Sequence, residues 1–84
     1  MKLLYFAWIR ERIGRGEETV ELPEGVRTVS DLIAWLKSRG EEFAHALEQD
    51  ALVRVAIDRR HAADRATSIA GASEIALFPP MTGG

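Results

Sequence analysis

Apolar positions along the 84-residue chain fall into short clusters with two different spacings. In "KLLYF", Lys2 to Phe6, the run of apolar and aromatic residues predicts a strand, with Leu3 and Tyr5 on one side and Lys2, Leu4 and Phe6 on the other. "AWIRERIG" spaces its charges like a short helix and ends on Gly14, a candidate C-cap. In "ETVEL", Val20 and Leu22 alternate with Thr19 and Glu21, which predicts a second, half-buried strand before the turn Pro23-Glu24-Gly25.

The clearest helical pattern is "TVSDLIAWLKSRG". Val29, Leu32, Ile33 and Leu36 repeat at i, i+3, i+4 and i+7, Thr28 and Asp31 are placed for a reciprocal cap, and Lys37 and Arg39 stand near the end before Gly40. A shorter helical piece is expected over Glu41 to Leu47, with Phe43 and Leu47 four apart. "LVRVAID", Leu52 to Asp58, sets Val53, Val55 and Ile57 on one face of a third strand. The polar, small-residue stretch "RRHAADRATSIAGAS" reads as turns around one short strand. "EIALF" is the last strand, with Ile75 and Leu77 facing one way and Ala76 and Phe78 the other, and Pro79 and Pro80 stop it because proline offers no amide hydrogen to a ladder. One main helix against a mixed sheet of four to five strands is an α+β arrangement.

Composition narrows the function more than the fold. A single domain of this size buries only about 60 to 65% of its unfolded surface, too little for a deep catalytic cleft. A net charge of −2 gives no general attraction for phosphate backbones, so no nucleic-acid partner is expected. With no cysteine, disulfides, thiolate-held metals and thiol nucleophiles are excluded. His45 and His61, the only histidines, share no ligand spacing with acidic residues, so no metal site is expected either. The apolar run Leu3 to Ile9 is too short to span a membrane and lacks a small-residue cleavage site, which points to a cytoplasmic protein without a membrane partner.

The sequence closes on Leu77 to Gly84, "LFPPMTGG". Gly83 and Gly84 have nothing to bury and the largest backbone entropy to lose, so they serve packing poorly. Two terminal glycines arise by chance in about one chain in 200, so the pair gains meaning from its setting: a strand, a rigid Pro79-Pro80 exit, a Met81-Thr82 spacer and a side-chain-free carboxylate. Extended, residues 79 to 84 reach at most about 20 Å. A glycine tip can pass a narrow tunnel and approach a nucleotide, because no Cβ intrudes, and a carboxylate becomes an acyl donor once it is adenylated. The division expected is a domain over residues 1–78 and a flexible tail over 79–84.

The ending "EIALFPPMTGG", the upstream "VRVAID", the single capped helix and the opening "LLYFAWIRERIG" together resemble the small subunit of molybdopterin synthase, across nearly the whole chain. The resemblance implies a β-grasp, ubiquitin-like fold and a sulfur-carrier cycle. A ubiquitin-activating-type adenylyltransferase would use ATP to adenylate the Gly84 carboxylate, and a sulfur donor protein acting through that enzyme would convert it to a thiocarboxylate. The large synthase subunit would then receive the tail, whose sulfur goes to cyclic pyranopterin monophosphate. On this reading the chain binds no cofactor and is no enzyme alone. Gly84 supplies the reacting atoms, Gly83 clearance, Met81 and Thr82 a spacer, and Pro79 and Pro80 the aim. The resemblance also implies a partner interface at Phe6, Phe78 and His61, the last standing where the family tends to carry an apolar residue. The sequence departs from the family again at Gly71-Ala72-Ser73-Glu74, one residue longer than the usual Gly-Asp-Glu turn.

Other functions share parts of this pattern. Sulfur carriers for thiamine thiazole or another thiolation pathway have the fold and the Gly-Gly tip but usually lack Phe-Pro-Pro before it. A ubiquitin-like modifier would use the same adenylation to form an isopeptide with lysine, and an interaction domain would leave the tail idle. Arg54, Arg59, Arg60 and Arg65 form a basic stretch broken by Asp58 and Asp64, read as a solvated face or a contact for an acidic partner surface.

Overall fold

The computed structural model describes residues 1–80. Strands β1 (Lys2–Tyr5), β2 (Glu17–Thr19), β3 (Arg54–Ile57), β4 (Arg60–Ala62) and β5 (Glu74–Phe78) form one sheet in the order β2-β1-β5-β3-β4. β1 and β5 run parallel at its centre, and the other pairings are antiparallel. Helices α1 (Ala7–Ile13), α2 (Val29–Lys37) and α3 (Glu41–Ala46) complete the α+β arrangement.

Strand alternation places Leu3 and Tyr5 of β1, Val55 of β3, and Ile75 and Leu77 of β5 on the helix side of the sheet, all buried. They meet Ile9 and Ile13 of α1, Val29, Leu32 and Leu36 of α2, and Phe43 of α3 in one apolar cluster. The α2 stripe is the one expected from its spacing. Its cap also forms as read: Thr28 Oγ1 accepts from the Asp31 amide at 3.2 Å, and Asp31 Oδ2 accepts from the Thr28 amide at 3.2 Å. Gly14 closes α1 at φ 92°, a left-handed conformation that glycine adopts without strain.

Several boundaries differ from the sequence reading; β3 ends at Ile57 rather than Asp58 and α3 at Ala46 rather than Leu47. β2 lies over Glu17–Thr19 rather than around Val20 and Leu22. Its partner β1 begins at Lys2, so after the Val20 amide has used the Met1 carbonyl at 2.9 Å there is no strand left to pair with. Val20 and Leu22 still pack against the core from outside the ladder. Leu52 belongs to a 3₁₀ turn, Asp50–Leu52, and is exposed. Phe6 leaves β1 to become the residue capping α1, with an extended backbone whose amide donates to the Leu77 carbonyl at 3.1 Å.

The shift of β2 turns Glu18 toward the core side, opposite Leu3. Three side chains answer it. Arg39 donates through both terminal nitrogens at 2.8 and 2.9 Å, Arg15 donates at 3.2 Å, and the Tyr5 hydroxyl donates to the same carboxylate. The Arg39 guanidinium also lies 4.5 Å from the Phe43 ring centroid, a cation–π contact that helps hold it beside the carboxylate. Burial alone would raise the Glu18 pKa, but the bonds from Arg39 and Tyr5 and the charges of Arg39 and Arg15 outweigh it and hold the carboxyl below its ordinary value. Burial, together with the bond to Glu18, pushes the Tyr5 phenol far up, so it stays a protonated donor.

The β3–β4 hairpin turns on Asp58 and Arg59, both at positive φ (47° and 72°), the geometry of a type I′ turn. Asp58 Oδ1 accepts from the Ser73 and Glu74 amides at 2.9 Å each, and the Asp58 amide donates to the Glu74 carbonyl at 2.9 Å. The long Gly71-Ala72-Ser73-Glu74 turn is thereby tied to the hairpin before β5 begins.

Two predictions come from these contacts. Arg59 holds a conformation that costs a non-glycine residue about 1–2 kcal/mol, and its ion pair with Glu74 spans 3.5 Å from a 90% exposed side chain. Arg59→Gly should therefore stabilise the fold by about 0.5–1 kcal/mol, read as a higher urea midpoint. Glu18→Gln should destabilise it by about 2 kcal/mol at neutral pH, since charge-assisted bonds to Arg39 are lost. Because the folded pKa of Glu18 is depressed, the stability it contributes is present above its ordinary value of 4.5 and is lost as pH falls through the folded value. The gap between native and Glu18→Gln urea curves should accordingly narrow below pH 4.5.

Candidate functional site

Residues opposite one another on neighbouring strands share a face, so register alone defines the sheet surface turned away from the helices. One row across it reads Leu4 (β1), Ala76 (β5), Ala56 (β3) and His61 (β4). In the next row Phe78 of β5 stands opposite Arg54 of β3, and Phe6 follows the end of β1. Two alanines in the middle leave the sheet floor low, and the larger residues stand around it.

At the C-terminal end of β5 this surface deepens into an open groove of about 360 Å³, lined by Phe6, Ala7, Ala76, Phe78 and Pro79. Every lining residue is apolar. Phe6 is 46% exposed, the largest exposed hydrophobic side chain among the described residues. Ala7, at φ 52°, holds the sharp turn from β1 into α1 that sets Phe6 on the rim. On the other flank of Phe78, the His61 ring lies 6.1 Å away, centroid to centroid, tilted by 56°.

The structure thus brings together the three side chains expected at a partner interface, Phe6, Phe78 and His61, around the place where the chain leaves the sheet. Pro79 lines the groove and Pro80 follows it outside any ladder. Met81, Thr82, Gly83 and Gly84 lie outside the described residues. Strand alternation set Ala76 beside Phe78 on this outer face, but sequence reasoning missed Ala7 as a groove-lining position; its only signal was small size beside Phe6.

Apart from the Tyr5 hydroxyl bonded to Glu18, no buried side chain among the described residues is polar or charged, and no three His, Asp or Glu residues among them converge as metal ligands. None of their helices is long and apolar enough to cross a membrane. What the sheet presents here is an apolar rim at the point where β5 ends.

The sequence profile of the ThiS family matches residues 3–84. The molybdopterin synthase sulfur carrier subunit of Haemophilus influenzae is 33% identical over 84 residues, all of this chain and 99% of that one. Among solved structures, a Pyrococcus furiosus protein assigned as molybdopterin converting factor, subunit 1, superimposes with a TM-score of 0.72 at 36% identity, covering 94% of both chains. SAMP1 from Haloferax volcanii gives the same TM-score, 0.72, at 27% identity over 100% of this chain and 98% of that one. The sheet order, the single capped main helix and these matches agree: the chain has the ubiquitin-like β-grasp fold and belongs to the ThiS family, in the group of small sulfur-carrier subunits of molybdopterin synthase.

Proposed function

We propose that this chain carries sulfur on its C-terminal carboxylate for molybdopterin synthesis. A ubiquitin-activating-type adenylyltransferase joins the Gly84 carboxylate to the AMP portion of ATP, releasing pyrophosphate. A sulfur nucleophile delivered by a donor protein displaces AMP, leaving a thiocarboxylate. The loaded tail then enters the large synthase subunit and gives its sulfur to cyclic pyranopterin monophosphate, and two such donations build the dithiolene. The observation that carries the reading is the Phe-Pro-Pro-x-Thr-Gly-Gly ending, whose Phe78 is the last residue of β5 and whose first two residues line the apolar groove.

Each part of the chain has a distinct task. Residues 1–78 form the docking body and 79–84 the reaching tail. Phe6, Phe78 and His61 meet the partner, Pro79 and Pro80 direct the chain outward, Met81 and Thr82 span the entrance, and Gly83 lets the backbone pass. This chain supplies no catalytic side chain, and the nucleotide belongs to the activating enzyme. All of these steps belong to the cytoplasm.

Intact mass after incubation with the adenylyltransferase, ATP and a sulfur donor should rise by the difference between sulfur and oxygen, and deletion of Gly84 should abolish the rise. Lysine-linked adducts in place of that gain would favour the protein-modifier reading. Phe6→Ala or Phe78→Ala should weaken binding to the large subunit at least tenfold, about 1.4 kcal/mol, as measured by calorimetry. Unchanged affinity in both variants would remove the groove from the interface.

A further inference from the structure

Across Phe78 from the apolar groove lies a second recess, of about 210 Å³, whose polar walls are Arg54, His61 and Arg65 and whose other lining is alanine and valine. Among the described residues no carboxylate lines it. Among the described residues, neither Arg54 nor Arg65 has an acidic ion-pair partner; the nearby Asp50 pairs instead with Lys37 at 2.7 Å. Backbone carbonyls hold both guanidinium groups in place. Arg54 Nη1 donates to Ala51 O at 3.2 Å, and Arg65 Nη2 donates to Val53 O at 2.8 Å and also to Asp50 O. A guanidinium carries five N–H donors in a fixed fork, so each retains most of its donors unspent and already oriented.

Two oriented cations with no carboxylate in ion-pair contact among the described residues, beside an apolar groove, suit one kind of occupant. The chain as a whole is acidic, with net charge −2, so a free phosphate gains nothing from long-range attraction. A carboxylate brought in on a protein surface arrives with the apolar contact made at Phe6 and Phe78, and covering the recess removes the water that would otherwise screen it. The recess adjoins the groove through the His61–Phe78 contact and the Arg54–Phe78 register pair. We propose that it receives an Asp or Glu side chain of the protein that covers the groove and takes up the tail, which rests on the carrier reading above.

The test compares native chain, Arg54→Gln and Arg54→Lys for binding to the large synthase subunit by calorimetry, at low and high salt. Among the described residues the Arg54 side chain makes one hydrogen bond, to Ala51 O, so thermal melting should show both variants folded. Arg54→Gln should bind tenfold or more weakly at low salt, Arg54→Lys should recover part of the loss, and the differences should shrink at high salt, where exposed charges are screened. Equal affinities for native and Arg54→Gln at low salt would overturn the proposal while leaving the carrier reading intact. Saturable binding of inorganic phosphate to the isolated native chain, tighter than millimolar and lost in Arg54→Gln, would overturn it in favour of a free oxyanion. If the native chain binds no large subunit at all, the carrier reading fails and takes this proposal with it.

Discussion

The parallel pairing of β1 with β5 is the constraint on which the rest of the molecule depends. It joins Lys2 to Glu74 and Tyr5 to Leu77, so it closes nearly the whole chain into one loop. Parallel neighbours cannot be joined by a tight turn, and everything between them must serve as the crossover. α2, with its reciprocal Thr28–Asp31 cap and continuous apolar stripe, supplies the part of that crossover that covers the core. β3 then pairs with the free edge of β5, and the last strand of the sequence becomes the middle strand of the sheet.

That arrangement leaves two outer strands of three residues each, and they are finished by different means. β2 presents Glu18 inward, where a carboxylate would be costly without partners. The cost is met by bonds from Tyr5, Arg15 and Arg39, which link β1, the loop after α1 and the segment joining α2 to α3. β4 is reached through a turn whose first residue, Asp58, also collects the amides of Ser73 and Glu74. One short side chain therefore fixes the hairpin and the start of the central strand together.

Local pattern carried the elements whose causes are local. The α2 repeat and its cap, the Gly14 stop, and the alternation in Arg54–Ile57 and Glu74–Phe78 all act within a few residues, and each is visible in sequence. The placing of Phe6 and Phe78 on one outer surface was legible by the same alternation, because Leu3, Tyr5, Ile75 and Leu77 claim the inner one. What escaped was set from a distance. The end of β2 depends on where β1 begins, the burial of Glu18 on Arg39 in another element, and the Asp58 contacts on residues 73 and 74. The basic recess was half legible: its arginines stand out in the sequence, but their lack of acidic partners is a property of the folded surface.

The central position of β5 also has a mechanical meaning. A pull on the chain beyond Phe78 acts along the axis of the strand it leaves. β5 is hydrogen-bonded to β1 on one side and β3 on the other, so such a pull loads two ladders at once and in shear. An edge strand would yield by peeling, one bond after another. By ending its middle strand at Phe78, the fold roots the chain beyond it in two ladders rather than one.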